Sequence, residues 1–119
     1  MYEKDYHSIV HKNLLNNDCY YLFRAKCADK FYWKYLKGNV LDFGCGVGQN
    51  IFLHKENSIG VEISEFALNV CKKKGINVKK NIEDIKEKSF EGILCVHVLE
   101  HIRNPYSIIE NFYKILKEN

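Results

Sequence analysis

Apolar residues along the chain form short runs that alternate with segments of helical spacing. Residues 40–43, 58–62 and 92–98 are such runs, and residues 76–78 form a weaker one. The run over 92–98 has no alternation of polar positions, which is typical of a parallel strand buried on both faces. We therefore predict four strands, of which the third is the weakest.

Helical spacing of apolar residues predicts helices around these strands. Residues 20–36 predict an N-terminal helix, and residues 49–54 can begin a second one. Ser64 is placed to cap a third helix, which Gly75 ends. The Asn-Pro pair at 104–105 supplies the cap and first turn of the last helix. The inner faces that this spacing predicts comprise Ala28, Phe31, Tyr32, Tyr35 and Leu36, then Phe66, Ala67, Val70 and Cys71, then Ile108, Ile109, Phe112, Ile115 and Leu116.

Strands that alternate with helices predict an α/β fold, a Rossmann-like parallel sheet with helices on both faces. The chain has one proline and no Gly/Ser-rich linker, so residues 1–119 are expected to form a single domain. Within it, residues 1–37 would form an N-terminal helical cap and residues 38–119 the core. In such a sheet a ligand binds beyond the carboxyl ends of the strands.

Composition limits the classes of protein to consider. The 119 residues are 46% hydrophobic, enough to build a core, and 18 Lys and Arg against 15 Asp and Glu leave a net charge of +3. This charge does not favour nucleic acid or membrane surfaces as partners. No apolar run approaches the roughly 20 residues that cross a bilayer. The N-terminus has no apolar leader and the five cysteines form no CxxC pair, so we expect a cytoplasmic protein with reduced thiols.

Three features with ligand-binding chemistry follow the predicted strands. A glycine turn over residues 44–48 follows the first strand, Glu62 ends the second, and residues 81–84 follow the third. Because the carboxyl ends of parallel strands share one edge, the three can contact one ligand. Glycines let a ligand approach the backbone, and the helix expected after the turn would present free N–H groups. A carboxylate 18 positions after Gly44 can accept hydrogen bonds from both hydroxyls of a ribose, so the pattern predicts a nucleoside-bearing ligand.

The glycine turn distinguishes between classes of nucleotide site. A dinucleotide fingerprint requires glycine where this chain has Gln49, which argues against NAD or FAD. Residues 40–48, VLDFGCGVG, instead resemble the first motif of class I S-adenosylmethionine-dependent methyltransferases. Residues 60–64, GVEIS, resemble the acidic second motif of that family, and residues 89–101 are similar to its fourth strand and the loop that follows. The resemblance covers the chain from about residue 40 onwards.

The resemblance implies a sheet with the strand order 3-2-1-4 and S-adenosyl-L-methionine as the cofactor. It also implies a fold truncated after the fourth strand and its helix, since the family continues into further strands. The fourth strand would then lie at an open edge, where unpaired N–H and C=O groups favour pairing with another chain. We therefore expect self-association, a partner chain that completes the sheet, or a longer enzyme of which this chain is a part.

The resemblance also implies which residues contact the cofactor. Asp42 would face the methionine amine, Glu62 would hold the ribose, and the adenine would lie between Ile63 and Ile82. Asn81 stands where the family usually has Asp, and its amide oxygen can still accept a hydrogen bond from the adenine amine. The residues implied as cofactor-binding are Asp42, Gly44, Cys45, Gly46, Gly48, Glu62, Ile63, Asn81, Ile82 and Cys95.

Some of these residues also have a simpler interpretation. Cys45 is a candidate apolar filler beneath the turn, and Asp84 fits an adenine contact or a turn cap equally well. On the N-terminal helix, Tyr21, Phe23 and Arg24 would cover the cofactor or begin the acceptor pocket. The aromatic residues of this segment favour a core stripe over a recognition surface. These residues are Tyr20, Tyr21, Phe23 and Trp33.

The segment around the end of the fourth strand carries the candidate catalytic groups. The resemblance implies that Cys95 and Val96 lie near the transferred methyl, and His101 or His97 could act as the general base for an attacking hydroxyl. With Glu100, the two histidines share one face of a helical turn and form a competent metal set. The segment resembles the Glu-x-x-Glu-His of ubiquinone-pathway O-methyltransferases and small-RNA 2′-O-methyltransferases, which bind a divalent ion there, although His97 replaces the first Glu. Both interpretations stay open.

The predicted function is the transfer of a methyl group to an oxygen or nitrogen nucleophile of a small molecule. An alternative is a non-catalytic S-adenosylmethionine-binding subunit that docks a partner through its open sheet edge. A domain that binds NAD or a nucleotide sugar is a third class. Turnover of the methyl donor separates the first two, and tight NAD binding would favour the third.

Overall fold

The computed structural model describes residues 18–96, 98 and 101–117 of the chain. Its helices and strands are α1 (Asp18–Phe31), β1 (Val40–Phe43), β2 (Ser58–Val61), α2 (Glu65–Lys73), β3 (Val78–Lys79), β4 (Gly92–Leu94) and α3 (Pro105–Ile115). Short 3₁₀ segments at Trp33–Tyr35, Phe52–Asn57 and Ile82–Asp84 lie between them. Among these residues, no helix has both the length and the apolar character needed to cross a membrane.

The four described strands form one parallel sheet with the order β3-β2-β1-β4. Asp42 of β1 pairs with Gly60 of β2 on one side and with Leu94 of β4 on the other. This register brings the carboxyl ends of the strands to one edge of the sheet, called the carboxyl edge below. The predicted α/β fold and the predicted strand order are both confirmed.

Apolar side chains cover both faces of the sheet. Val40 and Leu41 are adjacent in β1 and fully buried, and they belong to different core clusters because successive strand residues point to opposite faces. One cluster comprises Trp33, Val40, Cys45, Ile51, Leu68, Cys71, Ile76, Val78 and Leu94. The other comprises Leu41, Val61, Ile82, Ile85, Phe90 and Ile115. The central strand is thus buried on both sides, as expected for a parallel sheet.

The N-terminal helix buries only part of its predicted inner face. Ala28 is buried and Leu36 is partly buried, but Phe31, Tyr32 and Tyr35 are 54%, 36% and 79% exposed. The α-helix ends at Phe31, and the following 3₁₀ segment winds more tightly, which changes the residues that face the core. The predicted inner face is therefore wrong for these three aromatic residues.

The aromatic core stripe predicted for the same segment is half right. Tyr21 and Trp33 are buried, whereas Tyr20 and Phe23 are 39% and 60% exposed. Tyr21 precedes the buried Ala25 by one helical turn and so shares its face, while Tyr20 and Phe23 lie outside that narrow face.

The connection after the glycine turn does not form the predicted α-helix. The chain enters the 3₁₀ segment Phe52–Asn57, which is kinked at His54 with φ −131° and ψ 40°. A 3₁₀ helix rises further per residue than an α-helix, so few residues suffice to reach the start of β2 at Ser58. The expectation that an α-helix N-terminus would face a ligand here is therefore wrong.

The helix after β2 has the predicted ends. The Ser64 side-chain oxygen accepts a hydrogen bond from the Ala67 N–H over 3.3 Å, and Gly75 follows the helix with φ +76°. The buried face of α2 contains Ala67, Leu68 and Cys71, while Phe66 and Val70 are partly buried. The face is thus shifted by a fraction of a turn from the predicted one.

The last strand and helix are less buried than their apolar composition predicts. β4 ends at Leu94 instead of residue 98, and Ile115 is the one fully buried residue of α3, where Ile109 is 49% exposed. Ile108, Phe112 and Leu116 are partly buried. Among the described strands β4 pairs only with β1. No further described strand therefore extends the sheet beyond β4 to give α3 more surface to pack against.

The chain after α3 returns to the start of β4. Leu116 forms a parallel bridge with Phe90, and the Lys117 N–H donates to the Phe90 carbonyl over 2.8 Å. This pairing precedes β4, so within the described residues Gly92–Leu94 has a strand on one side only. The predicted open edge is present there, and the predicted self-association stays a prediction.

Candidate functional site

The glycine turn at the end of β1 has a backbone that requires glycine. Gly44, Gly46 and Gly48 have φ angles of +72°, +58° and +83°, which side chains disfavour. A Cβ on Gly44 would lie 2.5 Å from Val98 Cγ2, and one on Gly48 would overlap Ile76 Cδ1. The turn is therefore packed from below by residues that follow other strands and helices.

Hydrogen bonds attach this turn to the end of β2. The N–H groups of Gly44 and Cys45 both donate to the Val61 carbonyl, over 2.7 and 3.1 Å. The Gly46 N–H donates to Glu62 Oε1 over 2.9 Å, and Glu62 Oε2 accepts from the Ser64 N–H over 3.0 Å. The structure thus brings together the glycine turn and the carboxylate that the sequence predicted to share a ligand.

Asp42 lies next to this turn as a buried carboxyl group. It is 1% exposed, and its Oδ2 has no hydrogen-bond partner among the described residues. Burial, and then the charge of Glu62, raise the pKa of Asp42 to about 8. Two acidic groups therefore adjoin one turn, an arrangement that favours a positively charged ligand group.

Gln49 is a further buried polar residue next to the turn, and the sequence analysis used it only to exclude dinucleotides. It directly follows Gly48, is 9% exposed, and its Oε1 has no partner among the described residues. The sequence signal for the burial of Gln49 is weak: this polar residue lies between a glycine turn and Ile51, an apolar residue that the structure buries.

Cys45 occupies the position expected of a filler beneath the turn. It is 3% exposed, and a Cβ on Gly60 of β2 would overlap its sulfur. A hydrogen bond with Cys71, together with burial, holds the pKa of the Cys45 thiol well above its usual range. Its side chain supports the turn from inside, so the simpler interpretation of Cys45 fits the geometry.

The residues expected at the adenine have unequal exposure. Ile63 is 54% exposed directly after β2, whereas Ile82 is 7% exposed and packs in a core cluster. Asn81 and Asp84 are exposed at the two ends of a 3₁₀ segment, and the side chain of Asn81 makes no capping hydrogen bond. Ile63 and Asn81 are thus accessible to a ligand, while Ile82 contributes chiefly to the core.

The N-terminal helix covers the turn through Tyr21. Its hydroxyl donates to the Val47 carbonyl over 2.8 Å, and burial raises the pKa of this hydroxyl above its usual range. Phe23 and Arg24, which were predicted to share this role, are exposed, and Arg24 donates to the Tyr20 hydroxyl over 3.3 Å.

The candidate catalytic residues follow β4 at the same edge. Cys95 and Val96 are partly buried, and His101 is exposed, with its backbone N–H donating to the Val98 carbonyl over 2.9 Å. His97 and Glu100 lie outside the described residues, so the predicted metal set of His97, Glu100 and His101 stays a prediction. Within the described part of the chain, no three His, Cys, Asp or Glu side chains are grouped as metal ligands would be.

Comparison with known proteins assigns the chain to a family. A family model described as a methyltransferase domain matches residues 41–119, which is more than half of the chain. The chain belongs to this methyltransferase family. The match begins within β1, so it includes every residue predicted to contact the cofactor, and S-adenosyl-L-methionine is the cofactor that the assignment implies.

Curated relatives of this methyltransferase domain are longer than the chain. A ubiquinone biosynthesis O-methyltransferase of Dechloromonas aromatica is 32% identical over 91 aligned positions, and the match covers 66% of this chain and 39% of the relative. The protein of the same name from Coxiella burnetii is 32% identical over 95 aligned positions, and the match covers 69% of this chain and 41% of that protein. The chain thus spans about two fifths of the length of the curated relatives it matches.

Solved structures share the fold of this methyltransferase domain. An S-adenosylmethionine-dependent methyltransferase of Thermotoga maritima, described as a possible histamine N-methyltransferase, superposes with a TM-score of 0.66 at 25% identity. The alignment covers 96% of this chain and 52% of that one. A methyltransferase of Archaeoglobus fulgidus gives a TM-score of 0.63 at 33% identity, covering 81% of this chain and 48% of the other.

The residues present fit the cofactor that the family implies. S-adenosyl-L-methionine carries an ammonium group and a ribose diol, both of which donate hydrogen bonds. Asp42 offers a buried acceptor oxygen without a partner in the described structure, and Glu62 offers a carboxylate beside the turn. The positive φ angles of Gly44, Gly46 and Gly48 hold the backbone of the turn in the left-handed region next to these carboxyl groups.

Gly48→Ala tests whether packing beneath the turn is as tight as the geometry indicates. We expect the free energy of unfolding to fall by about 2–4 kcal/mol, since a left-handed φ is strained for alanine and the new Cβ overlaps Ile76. Gly75→Ala is a matched control: its φ is +76° and nothing lies within 4 Å, so it should lose only about 1–2 kcal/mol. Urea unfolding measures both. Ile76→Val removes the overlapping methyl and should restore part of the Gly48→Ala loss, and equal losses in the two glycine variants would contradict the packing argument.

The raised pKa of Asp42 predicts that stability falls as pH rises. In the folded protein the carboxyl keeps its proton up to about pH 8, while in the unfolded chain it loses it near its usual value of 3.8. Between these values the folded state binds more protons, so the free energy of unfolding decreases with pH, by up to about 1.4 kcal/mol per unit. Asp42→Asn should remove this slope between pH 5 and 8. Urea titrations measure the free energy of unfolding of both proteins across this range. If it changes with pH in the same way in both, the Asp42 carboxyl is ionised in the folded protein and the prediction is wrong.

Proposed function

We propose that this chain binds S-adenosyl-L-methionine at the carboxyl edge of its sheet and transfers the methyl group to an oxygen of a small molecule. The observation that carries the proposal is the 2.9 Å hydrogen bond from the Gly46 N–H to Glu62, which holds the glycine turn beside a buried carboxylate. Membership of the methyltransferase family supports the class of reaction.

Residues at the ends of β1 and β2 would bind different parts of the cofactor. Asp42, next to the turn, would bind the ammonium group, and Glu62 would bind the ribose hydroxyls. A carboxylate accepts up to about four hydrogen bonds, so Glu62 can hold a diol while Gly46 and Ser64 stay bound. Ile63 would give the adenine an exposed apolar surface. When bound, the cofactor supplies a methyl group on a positively charged sulfur.

The names of the curated relatives favour an oxygen nucleophile on the acceptor, since those proteins are ubiquinone biosynthesis O-methyltransferases. A nitrogen nucleophile is the alternative that the description of the Thermotoga maritima structure raises. In either case the residues at the carboxyl edge would hold the acceptor in line with the donor, an effect that can reach roughly 7–11 kcal/mol. The net charge of +3 gives no support to RNA as the acceptor.

The proton of the acceptor hydroxyl needs a base near the end of β4. His101 is exposed there and can accept it, and His97 is the second candidate. If His97, Glu100 and His101 hold a divalent ion instead, the ion would orient the acceptor hydroxyl and favour its ionised form. Cys95 and Val96 would line the wall next to the methyl group.

Other features of the chain support proposals about its surroundings. The five cysteines are free thiols, which favours the cytoplasm as its compartment. The side of β4 away from β1 fits a second copy, a partner chain or further strands of a longer enzyme. The comparisons give no support to the non-catalytic alternative, because the relatives and structures are described as methyltransferases.

Glu62→Gln tests the cofactor site by calorimetry with S-adenosylhomocysteine. We expect its affinity to fall at least tenfold, because an amide has one acceptor oxygen and no charge to offer the ribose hydroxyls. Glu65→Gln is the matched control, since the Glu65 carboxylate is on the surface of α2, 2.9 Å from Lys80 Nζ. Circular dichroism establishes that each variant is folded. If the two variants bind equally well, Glu62 does not hold the ribose.

His101→Ala tests the catalytic base by turnover of S-adenosylmethionine with small phenols as acceptors. The rate should fall by about 10²–10⁴-fold with cofactor affinity unchanged, since the histidine acts on the acceptor proton. His97→Ala and treatment with a chelator are run in parallel. Loss of turnover on chelation would indicate that this segment binds a metal ion. His54→Ala is the control histidine. Full turnover by both the His97 and His101 variants would remove this segment from the mechanism.

A further inference from the structure

The Gln49 side chain ends in a buried oxygen that nothing in the described protein binds. The residue is 9% exposed, and its Oε1 has no hydrogen-bond partner among the described residues. A buried acceptor without a donor is costly and therefore uncommon in folded proteins. Such an oxygen is explained if a bound ligand supplies the donor.

Two donors of the covering segment are already bound to the backbone on both sides of Gln49. The Tyr21 hydroxyl donates to the Val47 carbonyl over 2.8 Å, and the Trp33 Nε1–H donates to the Asn50 carbonyl over 2.8 Å. Neither can serve the Gln49 oxygen at the same time, because each carries one hydrogen. The segment that closes over the turn thus leaves this acceptor free.

Asp42 presents the same feature on the other side of the turn. Asp42 precedes the turn in β1 and Gln49 follows it, and each has one buried oxygen without a partner among the described residues. The third such oxygen in the described structure belongs to Asn57, at the end of a 3₁₀ segment just before β2 begins, away from the carboxyl edge. Two unpartnered acceptors therefore flank the turn at which the ligand is expected.

The chemistry of these acceptors selects the ligand group. A carboxyl oxygen and an amide oxygen together suit a group with several N–H donors, and the nearby charge of Glu62 favours a group that is positively charged. The ribose hydroxyls are a less suitable match, because Glu62 at the end of β2 already serves a diol. We propose that Gln49 accepts a hydrogen bond from the ammonium group of the bound nucleoside amino acid and makes the site selective for nucleosides that carry this group. This inference rests on the proposed function.

Calorimetry with three ligands tests the inference: S-adenosylhomocysteine, its analogue with hydrogen in place of the amino group, and 5′-methylthioadenosine, which lacks the whole amino acid. Gln49→Leu keeps the size of the side chain and removes the acceptor. It should weaken S-adenosylhomocysteine at least tenfold and change the other two ligands less than about twofold. Asn57→Leu makes the same chemical change at the other amide with an unpartnered oxygen, away from the carboxyl edge. It also removes the hydrogen bond from Asn57 Nδ2 to the Gly38 carbonyl, and it should leave all three affinities within about twofold.

Each other outcome overturns the inference. If Gln49→Leu lowers the affinity for all three ligands equally, Gln49 binds the ribose or maintains the shape of the turn. If no affinity changes, Gln49 contacts none of these ligands. If the unaltered protein binds methylthioadenosine as tightly as S-adenosylhomocysteine, the proposed function survives and the selectivity does not. If the unaltered protein binds none of the three, the proposed function fails and the inference with it.

Thermal unfolding without ligand gives a second readout that does not depend on binding. Because the Gln49 oxygen lacks a partner in the ligand-free protein, Gln49→Leu should leave the Tm unchanged or raise it. A fall of more than about 5 °C would mean that the amide is bonded within the protein, which contradicts the inference.

Discussion

The candidate site depends on Gly46, whose two flanking peptide groups are both held by hydrogen bonds. The Gly46 N–H donates to Glu62, and the Gly46 carbonyl accepts from the thiols of Cys71 and Cys45 over 3.3 and 3.6 Å. These bonds connect the turn after β1 with β2 and with α2, whose N-cap Ser64 also donates its N–H to Glu62. Groups of the interior therefore fix the inner side of the turn before any ligand binds, which is the preorganisation that a binding site requires.

The strand order was implied by the resemblance to class I methyltransferases, whereas the proximity of the turn to Glu62 was predictable from backbone geometry. Parallel strands joined by right-handed connections place their carboxyl ends at one edge, whatever side chains fill the core. The ends of α2 were predictable for a similar reason, since Ser64 and Gly75 act through local hydrogen bonds and a local φ angle. Features that a few neighbouring residues determine are thus the ones that sequence patterns indicate correctly.

The features that sequence did not indicate are those that depend on distant parts of the chain. The segment after the turn has apolar residues at helical spacing, yet the position of Ser58 in the sheet makes it a 3₁₀ connection. The buried, unpartnered oxygens of Asp42 and Gln49 arise because several elements close around the turn. Burial of this kind sets a pKa or a ligand preference, and it cannot be obtained from the spacing of residues along a chain.

The two sides of the carboxyl edge differ in how firmly they are built. On the side of β1 and β2 the turn, Glu62 and α2 are joined by buried hydrogen bonds, and Tyr21 of α1 closes over them. On the side of β4 the strand is three residues long, pairs only with β1 among the described strands, and leads to an exposed His101. Residues that would hold a cofactor thus lie on the rigid side, and those that would meet an acceptor lie where added strands or a partner chain can still reshape the surface. Cofactor choice and acceptor choice are therefore separable in this fold, and the described residues determine mainly the first.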